Sequence, residues 1–190
     1  VRIDTGLRLR GGRCPRLRAG PRTRGTRAAC RYPRVMQLEL SRHVGADPDT
    51  VWSVLTDIPA APLTLGGVLA VEILTPGPYL PGLRWRETRK MFGMKATEEM
   101  MVLAAEPPHS TTIVAENGGT EYRTVFTVTP DADGPGSTLR MHFGAETAHA
   151  PAISRVVMAL MGGVAERSTR KTMERDLADI AAEAERRASA

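Results

Sequence analysis

The chain has 190 residues, with 26 Lys and Arg against 21 Asp and Glu for a net charge of +5, a size that accommodates one core-forming domain and a tail. The charge is uneven: residues 1–35 hold eleven Arg and a single acid, Asp4, so residues 36–190 hold 15 basic and 20 acidic groups, net −5. A mildly acidic body excludes the reading that overall basicity alone invites, a nucleic-acid or anionic-membrane domain.

The arm, which includes RGGRCPRLRAGPRTRGTRAACRYPR (residues 10–34), carries both cysteines, Cys14 and Cys30, and no histidine. It therefore lacks a zinc-ligand set, and the body lacks a disulfide framework. The arm contains no Lys, one aromatic (Tyr32), no Ser and no apolar h-region. That makes it a poor polyanion-binding arm, transit peptide or secretory signal alike. Residues 1–35 are expected to be a disordered extension ahead of an alternative start at Met36, with a polyanion-binding arm and a targeting segment as the other readings. No apolar run approaches the roughly 20 residues that span a bilayer. A cytoplasmic location is expected.

MQLELSRHV (36–44) alternates, with Leu38, Leu40 and Val44 on one face, and predicts a half-buried strand. Asp47 as N-cap and Pro48 as first helical residue then open a short helix through Val51, Trp52 and Leu55, followed by a second helical turn or loop in IPAAPLT. GGVLAVEILTP (66–76), with Leu69, Val71 and Ile73 alternating, begins a series of six antiparallel strands. LRWRETRKMF and MKATEEMMVLAAE flank Gly93, STTIVAEN and EYRTVFTVTP flank Gly118 and Gly119, and STLRMHFGAE closes the series. The remainder is helical, with an Ile153, Val157, Leu160, Val164 stripe and a rotated Met173, Leu177, Ile180, Ala184 stripe. A bend is expected near Gly162 and Gly163.

This order resembles the START-like superfamily (SRPBCC), which includes Bet v 1-like proteins, polyketide cyclases/dehydrases and lipid-transfer domains. The segments that carry the resemblance are ADPDTVWSVLTD, PGLRWRETRKMFGMKATEEMMVLAAEPPHS, TEYRTVFTVTPDADGPGSTLRMHF and the terminal amphipathic helix. The resemblance implies an α+β helix-grip fold: a strongly bent antiparallel sheet of about seven strands wrapped around a long C-terminal helix, with one or two short helices after strand 1. The domain is expected over residues 36–186, with a tail at 187–190. Where many members carry tryptophans after the first helix, this chain reads DIPAAPLTLGG. General apolar binding by Met, Leu and Val is thereby favoured over stacking on a large planar ligand.

Alternation puts Trp85, Glu87 and Arg89 on one face of their strand and Arg84, Arg86 and Thr88 on the other. If Trp85 faces a cavity, Glu87 and Arg89 form a polar pair inside it; otherwise they are a cross-strand ion pair on a solvated face. Tyr122, Thr124, Phe126 and Val128 make a second inward row, and Tyr122 is either a ligand hydrogen-bonder or a core tyrosine with a satisfied hydroxyl. The candidate ligand-binding residues are Trp85, Met100, Tyr122, Thr124, Phe126, Met141, Phe143, Val157, Leu160 and Met161. Glu87, Arg89 and Tyr122 are the candidate catalytic groups. His43, His109, His142 and His149 show no metal-ligand spacing, and no GxSxG, GxGxxG or phosphate-loop pattern occurs, so neither metal nor cofactor is expected.

Three functions remain at this point. One is binding of a small hydrophobic or amphipathic ligand, lipid or polyketide-like, between sheet and helix, with entry near residues 62–67, 76–82 and the helix start. The second is a cofactor-independent polyketide cyclase, aromatase or dehydratase, a lyase or isomerase. The third is polyanion binding through the arm; no nucleic acid is expected as a partner of the domain itself. The sequence leaves the oligomeric state open.

Overall fold

The computed structural model of the chain describes residues 34–91, 94–117, 119–147 and 152–190, with side chains in the terminal helix from Glu166 onward. The expectations for residues 1–33 lie outside it. β1 (Arg34–Val44) leads into α1 (Pro48–Leu55), a 3-10 turn (Ile58–Ala60) and α2 (Ala61–Thr64). Then come β2 (Val68–Ile73), β3 (Arg84–Met91), β4 (Met94–Glu106), β5 (Ser110–Asn117), β6 (Thr120–Pro130), β7 (Ser137–Thr147) and α3 (Ala152–Ala188). The Asp47 carboxylate accepts from the Thr50 backbone N–H at 2.9 Å, the N-cap that its position ahead of Pro48 predicts.

The seven strands form one curved antiparallel sheet in the order β1-β7-β6-β5-β4-β3-β2. Each consecutive pair from β2 to β7 is a hairpin neighbour, and β1 closes onto β7. A register shift in β4 between Val102 and Ala104 puts an extra residue against β5, the kind of bulge that bends a strand. This is the helix-grip α+β architecture. α3 continues to Ala188, past the expected end, and Arg187 is bound there to Glu183 and Asp57. Helical structure runs through Gly162 and Gly163 without a break.

Alternation locates the core. Leu38, Leu40, Phe126, Val128, Leu139, Met141 and Phe143 are buried on the concave face, while His142 and Arg140 between them are exposed. The second helical stripe meets this face through Leu177, Ile180, Ala181 and Ala184, with Val51, Val54 and Leu55 of α1 beside them. A separate cluster of Ile58, Leu83, Trp85 and Val102 fills the other side. β2 departs from its pattern: Leu69 and Ile73 are exposed and Val68 is buried instead. The register shift between Val68 and Ala70 puts Val68 on the covered face in place of Leu69, and Ile73, opposite Trp85, stays exposed because β2 is the edge strand.

Candidate functional site

A cavity of about 370 Å³ lies between the concave sheet face and α3. Cross-strand register builds its floor, because residues directly opposite one another share a face. Trp85 faces Met100, Met100 faces Ala115 and Ala115 faces Tyr122. One row further along, Thr124 faces Phe143 and Phe126 faces Met141. Trp85, Glu87, Arg89, Met100, Tyr122 and Thr124 all line the cavity, as do Phe126, Met141 and Phe143. The side chains of Val157, Leu160 and Met161 lie outside the described residues. The roof comes from Thr169, Met173, Asp176 and Ile180, which recur on one side of α3.

Most of this lining is apolar, but one end is not. On β3 the two faces sort as alternation requires. Arg84 and Arg86 point outward, where Arg86 bonds Glu72 at 2.6 Å and Arg84 is bound to Glu99, while Glu87 is buried on the inner face. The solvated-face reading therefore describes Arg84 and Arg86, and the interior reading describes Glu87 and Arg89. Arg89 Nη2 donates to Asp176 Oδ2 at 2.6 Å, and its Nε lies 3.4 Å from Glu87 Oε1 without the geometry of a hydrogen bond. Gly67 closes over the pair, with room for a Cβ only 3.4 Å from Arg89 Nη2.

Burial dominates the electrostatics here. It pushes the Glu87 carboxyl up, against a downward pull from Arg89, and it does the same to Asp176, again opposed by Arg89. For Arg89 burial disfavours the charge, but Asp176 and Glu87 more than offset it and the guanidinium is raised. Trp85 Nε1 meets no acceptor at hydrogen-bond geometry among the described residues, although its N–H is near enough to pull the Glu87 carboxyl down. Trp85 Nε1, Arg89 Nε and Asp176 Oδ1 are thus buried polar atoms without a hydrogen-bond partner among the described residues, and all three belong to residues that line the cavity. Native interiors leave few such atoms, and each calls for an explanation such as a bound group. Tyr122 stacks on Phe143 at a centroid distance of 6.1 Å, and burial, then the charge of Glu98, raises its phenol.

The sequence reading missed Asp176, the residue that fixes Arg89, and Glu98, which lies opposite Glu87 in the β3–β4 register and lines the cavity. Both signals were available. Asp176 follows Met173 by three and precedes Ile180 by four on the inward stripe, and a hairpin closing at residues 92–93 pairs 87 with 98. Of the two loops expected at the entrance, the first contributes Thr64 and Leu65 to the lining. In the second, Tyr79 meets Trp52 edge-on and hydrogen-bonds Thr111 at 2.9 Å. No group of three or more potential metal ligands occurs among the described residues. No described helix is long and apolar enough to cross a membrane.

A family model described as "Polyketide cyclase / dehydrase and lipid transport" matches residues 36–185. No curated protein sequence matches. Among solved structures, the chain is similar to the Zhui aromatase/cyclase from Streptomyces sp. R1128, at TM-score 0.67 and 18% identity over 80% of this chain and 94% of that one. A Thermus thermophilus protein superposes with TM-score 0.65 and 14% identity, covering 78% of this chain and 97% of the other. A START superfamily protein from Mycobacterium smegmatis gives TM-score 0.57 at 16% identity, covering 80% and 97%. At these identities the structural matches speak for the fold.

Proposed function

The chain belongs to the polyketide cyclase / dehydrase and lipid transport family, within the START-like superfamily, and from that premise we propose that it binds a small, largely apolar molecule in the cavity, with an oxygen of that molecule taken by Arg89. The observation that carries this reading is an apolar cavity of about 370 Å³ that ends in a buried Glu87–Arg89–Asp176 cluster. That volume falls in the range of small-molecule sites, and a few convergent polar groups on an apolar lining are their usual form. Asp176 holds Nη2 and Glu87 faces Nε, so among the described residues Nη1 is left with no carboxylate partner and is the donor offered to a ligand. Met100, Met141 and Met173 supply a lining that adapts to ligand shape.

The test is native mass spectrometry of the full chain as purified, followed by extraction and identification of any bound molecule. A ligand released by organic solvent and absent from Arg89→Leu supports the reading. A wild-type protein that carries nothing, and whose buried Trp85 fluorescence responds to no apolar compound, counts against it.

A second reading, cofactor-independent cyclisation or dehydration of a polyketone, is favoured by the position of Glu87. Burial raises the Glu87 carboxyl and so makes its ionised form a stronger base, which can take a proton from a carbon next to a ketone and, once protonated, give it to a leaving hydroxyl, while Arg89 donates to the enolate oxygen. Tyr122 lines the same cavity and supplies a second donor. Turnover of a poly-β-ketone by the wild type that is lost in Glu87→Gln, with ligand binding retained, would establish it. Binding without turnover would leave the first reading alone.

A further inference from the structure

Resting on the reading that the cavity binds a ligand, we propose that Glu98 is a charge filter, which bars anionic ligands such as fatty-acid carboxylates and admits neutral carbonyl compounds. The charged groups lining the cavity come from four parts of the fold. β3 contributes Glu87 and Arg89, β4 contributes Glu98, α3 contributes Asp176, and the turn after α1 contributes Asp57. Asp57 has a cation of its own, Arg187 Nη2 at 3.2 Å. Glu87 and Asp176 share Arg89. Among the described residues, Glu98 takes a long contact from the neutral amide of Asn117, at 3.4 Å, and no cation. Among the described residues, one guanidinium thus faces three carboxyl groups, and their surplus at this end of the cavity is negative.

Register explains why Glu98 belongs to the cavity. It pairs directly with Glu87 across β3 and β4, so both project to the concave side, while its neighbour Glu99 projects outward to Arg84. Its charge adds to the upward shift of the Glu87 carboxyl, the Arg89 guanidinium and the Tyr122 phenol. The positive charge of Arg89 is already balanced by two carboxyl groups, so Arg89 can serve as a hydrogen-bond donor but not as a free counter-ion. A ketone or ester oxygen accepts that N–H and adds no charge. A carboxylate brings a further negative charge into a site of low dielectric that already holds an uncompensated one.

The experiment is isothermal titration of the full chain at pH 8 with methyl decanoate and with decanoate, matched in acyl chain and different in charge. The wild type is expected to bind the ester at least about tenfold more tightly. Glu98→Gln is expected to close that gap by about tenfold, mainly through a gain for decanoate. Glu99→Gln makes the same charge change on the outer face and is expected to leave the ratio unchanged. Decanoate binding the wild type as tightly as the ester overturns the filter and leaves the binding reading standing, and this arm needs no variant. A ratio unmoved in Glu98→Gln, or moved equally in Glu99→Gln, overturns the role of Glu98. Failure of both ligands to bind the wild type removes the binding reading and the filter with it. Thermal melts of each variant confirm that the comparison is between folded proteins.

Discussion

Arg89→Leu removes the cation that Asp176 and Glu87 share, and its cost should depend on pH in a definite direction. The three side chains are 16%, 9% and 9% exposed, so this is an interior cluster and screening by solvent is weak. Breaking a buried ion pair by removing one partner typically costs about 3–5 kcal/mol, because the remaining charge is left without compensation. Both carboxyls are already raised by burial, and without Arg89 they rise further. A carboxyl with a folded-state pKa above its unfolded value favours the folded state at low pH. That contribution is lost as pH climbs through the unfolded and then the folded value. The variant's deficit should therefore shrink as pH falls and both carboxyls take up protons, and be larger at pH 8 than at pH 4. Urea unfolding at the two pH values measures it, and for a chain of this size about 3 kcal/mol corresponds to a Tm loss of roughly 6–12 °C. Arg89→Leu with Asp176→Asn should recover part of the deficit at pH 8, since one stranded charge is gone. A deficit below about 1 kcal/mol at pH 8, or one equal at both pH values, would refute the claim that these charges are buried and coupled.

Other outcomes follow from local geometry. A Cβ at Gly136 would lie 2.5 Å from Asp131 Oδ2 and 3.2 Å from the Val44 carbonyl oxygen, so Gly136→Ala should cost about 1–3 kcal/mol in urea unfolding. Leu139→Ala, at a fully buried position, should cost about 2–5 kcal/mol, whereas Leu63→Ser, at a residue 92% exposed, should change stability by less than about 0.5 kcal/mol. Burial pushes the Tyr79 phenol up to about 12, and ultraviolet titration should show a tyrosine that ionises only near pH 12 and is missing from Tyr79→Phe.

Much of the fold was legible because period and punctuation agreed along most of the chain. Asp47-Pro48 marked a helix start, the glycines marked hairpins, and alternation from Leu38 to Phe143 sorted the two sheet faces correctly. β2 was misread because alternation says which residues share a face, and whether that face is covered depends on where the strand lies in the sheet. An edge strand with a bulge left Leu69 and Ile73 in solvent. The site was legible to the extent that it lies on strands. Trp85 could be placed inside, and Glu87 and Arg89 follow it by two and four residues. The ambiguity between cavity and solvated face was settled by Asp176, 87 residues away from Arg89 along the chain. Strand periodicity carries no information about a partner delivered by a distant helix.

The proposed function requires a ligand in the space between the sheet and α3. Ala115 is buried, lines that space and presents only a methyl group to it. The dissociation constant of methyl decanoate for the wild type and for Ala115→Phe tests the claim most directly, because the added ring fills the cavity and leaves Glu87, Arg89 and Asp176 untouched. The variant is expected to melt close to the wild type and to bind at least about tenfold more weakly, as loss of one or two buried side chains' worth of apolar contact requires. Equal affinity in a folded Ala115→Phe variant would contradict it.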